Sequence, residues 1–171
     1  MTVYACEKVG LDFFDTAPSV HRLERTVAAT PAEVFAAFLD AEAWAAWAPP
    51  ITRVEWTSGL PIETGSTRTV HMRGGLVAHE EFLAYEDGGR MAFRFNEASK
   101  QGVHAFAEDY RVTDLGAGRC VVAWTMALDT GRGPSRLDRV VDPMMRLGLR
   151  YMLGRFGKLV ESRSATTAAD R

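Results

Sequence analysis

The sequence predicts an α+β domain. In it a curved antiparallel sheet of about six to seven strands wraps around one long C-terminal helix, with two short helices after the first strand. Three observations lead there. An early alternating segment runs into a complete helix-start signal, a series of short strand-like segments is punctuated by glycine turns, and the last third changes to a helical period.

Taken in order, Val20, Arg22, Glu24 and Thr26 alternate with His21, Leu23, Arg25 and Val27, the period of a first strand. Thr30-Pro31-Ala32-Glu33 then starts a helix. The threonine suits the N-cap, the proline the first helical position, and the glutamate the reciprocal partner of a capping box. Val34, Phe35, Phe38 and Leu39 form its apolar stripe. Asp40 caps a second short helix carrying Trp44 and Trp47, which Pro49-Pro50 stops. Strands are predicted over 53–57, 66–72, 76–85, 90–96, 103–114 and 119–129, a meander with turns at Gly74-Gly75, Asp87-Gly88-Gly89 and Gly116–Gly118. After Gly131, Gly133 and Pro134, the residues Leu137, Val141, Met144, Gly148, Met152 and Phe156 recur at helical spacing, and Pro143 predicts a kink or a fresh helix start. The chain thus divides into an arm at 1–19, one domain at 20–163 and a frayed tail at 164–171. The arm reads as a segment laid over the domain, with a pocket lid or a homodimer contact as alternatives.

Composition narrows the function classes. A chain of 171 residues with 47% hydrophobic and 25% charged residues can bury a core as one domain. A net charge of −2 offers no basic stripe for a nucleic acid. Cys6 and Cys120 are too few for a disulfide framework and lack metal-site spacing, which predicts free thiols, no metal and no cofactor. The start carries no basic-then-apolar leader and no apolar run reaches a membrane span, so the expected location is the cytoplasm. Phosphate loops and nucleophile elbows are missing. The arginines at 146, 150 and 155 read as a solvated helix face, with attraction of anionic lipid headgroups as the alternative.

Four stretches carry a family resemblance: Ala29-Thr30-Pro31-Ala32-Glu33-Val34-Phe35, Trp44 with Trp47 before Pro49, Ala84-Tyr85-Glu86-Asp87-Gly88-Gly89-Arg90-Met91, and Phe106-Ala107-Glu108-Asp109-Tyr110-Arg111. Over about residues 20–162 the chain resembles the START-like, or SRPBCC, superfamily with its helix-grip fold. Within it the chain is similar to the bacterial branch of polyketide cyclase/dehydrase and lipid-transport-like proteins. The resemblance implies an internal apolar pocket for a small hydrophobic molecule. It implies no shared catalytic signature.

Strand parity proposes the lining of that pocket. Trp56, Phe93, Phe95, Phe106, Glu108, Tyr110, Trp124 and Met126 fall on inward positions, and Met144, Gly148 and Met152 on the inward face of the last helix. Most such residues are simply core in any protein. Glu108 differs, because a carboxylate between Phe106 and Tyr110 must pair or take up a proton when buried. An ion pair with an arginine, or a bulge that turns it outward, is the structural alternative. For 76–85 two parities stand: His79 and Glu81 inward with Val77, Leu83 and Tyr85, or Glu80 inward with Ala78 and Phe82. The first would gather His79, Glu81 and Glu108 as candidate acid–base groups.

Three functions are therefore expected in order. The leading one is binding of a lipid or polyketide-like ligand. The others are a polyketide cyclase/dehydratase-type enzyme and a protein-interaction module with a collapsed pocket.

Overall fold

A computed structural model describes residues 2–133 and 138–169. Pro134 and Leu137 lie outside the described residues. After a two-residue strand β1 (Tyr4–Ala5) and one helical turn α1 (Phe13–Thr16) comes β2 (Ser19–Val27). The two short helices are α2 (Pro31–Leu39) and α3 (Ala41–Trp47). The strands β3 (Ile51–Trp56), β4 (Thr67–Met72), β5 (Val77–Glu86), β6 (Arg90–Ala98), β7 (Ala105–Gly116) and β8 (Arg119–Asp129) follow, and α4 (Asp138–Ala169) closes the domain.

The helix starts are made as the sequence reads. Glu33 N–H donates to Thr30 Oγ1 at 3.3 Å while Thr30 N–H donates to Glu33 Oε2 at 2.7 Å, a closed capping box. Asp40 Oδ1 accepts from Glu42 N–H at 3.0 Å and starts α3 immediately. The compact α2–α3 pair then carries the chain from one edge of the sheet to the other. The order is β2-β8-β7-β6-β5-β4-β3, every neighbour antiparallel, with β1 beside the far end of β6. The meander from β3 to β8 is ordered as predicted, and the first strand returns to pair with the last.

The two faces of the sheet differ in residue size. The inner face carries Phe82, Met91, Phe93, Tyr110, Val122 and Trp124, which pack with α2, α3 and α4 into the main core. Phe38 of α2 stacks on Phe156 of α4 with ring centroids 4.7 Å apart. The outer face offers Ala92, Ala105, Ala107 and Ala127, and Phe13 and Phe14 of the arm cover these small residues. The arm also fills the gap where β6 and β7 diverge: Cys6 N–H donates to Asn96 O at 2.9 Å and Glu7 N–H to His104 O at 2.7 Å.

Two features of α4 depart from the sequence reading. It runs unbroken through Pro143 and continues to Ala169, past the point where a frayed tail is expected. Its buried face is also rotated. Leu149, Leu153, Phe156 and Val160 are buried with Met145 and Met152 beside them, whereas Val141 and Met144 are exposed and Gly148 faces open space. The predicted stripe steps back from Met152 by four residues twice. At 3.6 residues per turn each such step turns the face by about 40°. Gly148 has no side chain to bury, and Leu149 takes its place.

Candidate functional site

A cavity of about 290 Å³ lies between the inner face of the sheet, the end of α3 and α4. That is at the small end of the range, roughly 300–1,000 Å³, in which small-molecule sites fall. Trp47, Ala48 and Pro50 line it from the α3 side, and Met145, Leu149 and Met152 from α4. Phe95, Phe106, Trp124, Met126 and Leu128 come from β6, β7 and β8, while Met72 comes from the end of β4 and Leu76 and Val103 from the connections.

Four polar groups converge on this apolar space: Arg68, Glu80, Glu108 and Tyr110. Parity places each. Glu108 and Tyr110 are two residues apart on β7, so both side chains point inward, and the Tyr110 hydroxyl donates to Glu108 Oε2 at 2.9 Å. On β4 the register pairs Val54 with Val70 and Trp56 with Arg68, which sends Arg68 inward beside two apolar neighbours. Its Nε–H donates to Glu80 Oε2 at 2.5 Å, and both side chains are almost wholly buried. The guanidinium carbon lies 4.2 Å from the Trp44 ring centre and 4.3 Å from that of Phe93, with Trp56 and Phe82 slightly farther away. An aromatic cage of this kind offsets part of the cost of burying a cation.

Glu108 stays out of that ion pair. Burial pushes its carboxyl up to about 8, and the nearby Glu80 charge adds to the rise; the Tyr110 hydrogen bond, Arg68 and the Trp124 indole oppose it. The same burial, with Glu108 alongside, holds the Tyr110 hydroxyl well above its usual value, so it remains a donor. Glu80 is also raised by burial and pulled back by Arg68. At neutral pH the floor of the cavity therefore holds a neutral carboxylic acid beside a compensated ion pair. Among the described residues, Arg68 Nη1 and Trp47 Nε1 of the cavity lining are buried without a hydrogen-bond partner. Among the described residues no three His, Cys, Asp or Glu side chains converge as a metal site would require.

Several sequence-predicted positions change. Phe95, Phe106, Glu108, Tyr110, Trp124, Met126 and Met152 line the cavity. Trp56 and Phe93 sit behind it, against Arg68. Met144 and Gly148 face away, for the helical reason given above. His79 and Glu81 turn to the outer side: His79 Nδ1 is 3.0 Å from Thr69 Oγ1, and Glu81 Oε2 accepts from Arg94 and Asn96. Of the two parities for β5, the one with Glu80 and Phe82 inward holds over that stretch. A register shift between Phe82 and Ala84 then brings Tyr85 inward as well, against Phe35. Arg68 is not among the residues that parity proposes for the lining, although it alternates with Val70 and Met72. An arginine on an apolar face is easily assigned to the solvent side.

Comparison with known proteins agrees with this architecture. Residues 20–161 match the family described as polyketide cyclase / dehydrase and lipid transport. Uncharacterized proteins of Mycobacterium tuberculosis and Mycobacterium bovis are 46% identical over 164 residues, covering 95% of this chain and 97% of theirs. An aromatase/cyclase from Streptomyces sp. R1128 superposes with a TM-score of 0.63 at 19% identity, covering 85% of this chain and 96% of its own. A START superfamily protein from Mycobacterium smegmatis gives 0.64 at 13% identity, over 86% and 98% of the two chains. At such identities the solved structures speak for the fold alone. The chain belongs to the polyketide cyclase / dehydrase and lipid transport family.

Proposed function

We propose that the protein binds a small amphipathic molecule, lipid-like or polyketide-like, with its apolar body among Trp47, Phe106, Met126 and Met152 and its polar end at Glu108. The observation that carries this reading is the Glu108 carboxyl, outside the Arg68–Glu80 ion pair and pushed up to about 8 by burial, on the floor of a mostly apolar cavity. Apolar burial supplies affinity, while the Glu108 O–H donates to a carbonyl or hydroxyl oxygen and orients the ligand. Mycobacterial relatives and two buried free thiols, Cys6 and Cys120, support a bacterial cytoplasmic setting.

Native mass spectrometry of protein purified from its own host tests the proposal. A co-purifying amphipathic molecule, displaced when Met126 and Met152 are both changed to Trp, is the expected result. Protein that emerges empty, and that no fatty acid or aromatic polyketide stabilises, overturns it.

A second reading is favoured by one observation, the proximity of Glu108 and Tyr110. An acid raised to about 8 is matched to proton transfer near neutral pH, so the same pair would serve a cyclase or dehydratase acting on a polyketide-like chain. The readings separate with Glu108→Gln, which retains hydrogen-bonding capacity but cannot exchange a proton. Turnover lost with binding retained identifies the enzyme; no turnover in either protein leaves the binding function.

A further inference from the structure

The first half of α4 has two apolar faces. Met145, Leu149 and Met152 turn toward the cavity. Val140, Met144, Leu147 and Tyr151 are 59%, 68%, 69% and 59% exposed. Their spacing of four, three and four residues sets them on one stripe about 16 Å long. Packing among the described residues does not account for such a stripe.

Along one side of the stripe runs a polar cleft of about 380 Å³, between β2 and the middle of α4. Arg22, Arg25, Arg146 and Arg150 line it, with Glu24 as the single acid. The chain makes room for this cluster: a Cβ at Gly157 would collide with the Arg25 guanidinium, and Gly154 lies beside it. Among the described residues Arg25 Nε is buried without a hydrogen-bond partner. Among the described residues Arg22 is paired with Asp15 at 2.8 Å, while Arg25, Arg146 and Arg150 have no acid within ion-pair distance. Arg155 flanks the other side, its guanidinium 5.8 Å from the Tyr151 ring centre. The nearest acid on this part of the helix, Asp142, is exposed and lies 4.0 Å from His21.

We propose that this face of α4 docks on an anionic lipid bilayer, with a lipid phosphate in the arginine cleft and the Val140–Tyr151 stripe at the headgroup–acyl boundary. An exposed apolar stripe with arginines on both flanks is the charge and shape pattern of an interfacial helix. A second copy fits less well, because a two-fold contact through the stripe would bring the unpaired arginines of one copy toward those of the other. The docking stands independently of what the cavity holds.

Vesicle co-sedimentation of the full chain tests it, with phosphatidylcholine alone against phosphatidylcholine mixed with phosphatidylglycerol. Binding is expected only to the mixed vesicles and weakens with added salt. Arg146 and Arg150 are exposed, so replacing both by Gln leaves the fold intact, as circular dichroism would verify. About fivefold in partitioning is lost per charge, or roughly 25-fold for the pair. Leu147→Ser should weaken binding to the mixed vesicles while leaving the sedimentation coefficient of the free protein unchanged. The proposal is overturned by equal binding to both vesicle types, by full binding of the Arg146→Gln/Arg150→Gln protein, by binding of inorganic phosphate without binding of vesicles, or by a dimer that Leu147→Ser dissociates.

Discussion

Glu108 shows how a single side chain can couple the site to stability. Its carboxyl has an ordinary value of 4.5 and is pushed up to about 8 in the folded protein, so the native state retains a proton that the unfolded chain releases. Its contribution to stability is complete below about pH 4.5, declines as pH rises, and is gone above about pH 8, with a slope of at most about 1.4 kcal/mol per pH unit. Urea denaturation of the wild type and of Glu108→Gln between about pH 5 and 8.5 measures this. The variant's curve should be flatter, and parallel curves would show that Glu108 is already ionised in the native protein. Arg68 and Glu80 allow a second prediction. Removing one partner of a buried pair strands the other, so Glu80→Leu alone should cost about 3–5 kcal/mol. The Arg68→Met/Glu80→Leu protein should regain most of that loss in chemical denaturation, because two apolar side chains then fill the same space. The position of Glu108 was legible from alternation with Phe106 and Tyr110. Its freedom from an ion pair was not, because that depends on Arg68 reaching Glu80 from another strand.

At the scale of elements, local chemistry determines starts and turns more firmly than faces. The capping box at Thr30 and Glu33 and the cap at Asp40 form as written, since all their partners lie within three residues. The face of α4 is different. Both Met144 and Met145 fit a helical period, and the choice falls to whichever side chains meet the sheet. Leu149→Ala should therefore cost about 2–5 kcal/mol, while Met144→Ala should stay within about 0.5 kcal/mol, both read from denaturation midpoints. Equal costs would contradict the observed rotation of the helix. In β5 the same lesson has another cause. Alternation alone permits two parities, and register shifts at His79/Glu80 and Phe82/Ala84 let Glu80, Phe82 and Tyr85 all point inward, a set neither parity contains.

For the whole molecule, the cavity exists because separate elements stop short of filling one space. The α2–α3 crossover links the two sheet edges, and α4 lies over the inner face with Met145, Leu149 and Met152 above the opening. A ligand bound there stabilises only the folded state. At one hundred times its dissociation constant it should add about 2.7 kcal/mol, measurable as a rise in unfolding midpoint with ligand concentration. An unchanged midpoint would mean that the candidate ligand does not occupy the site. Trp47 and Trp124 both line the cavity, so binding should also alter tryptophan fluorescence.

The amino-acid sequence by itself determined the elements from the first long strand onward, their order, the antiparallel meander and the inward direction of Glu108, because caps, glycine turns and period-two alternation act over a few residues. Only the tertiary structure decided which face of α4 covers the cavity, that Arg68 and Glu80 share it with Glu108, and that the arm covers the outer alanines. Those outcomes depend on register shifts and on partners tens of residues apart, where several local choices have nearly equal energy until packing separates them.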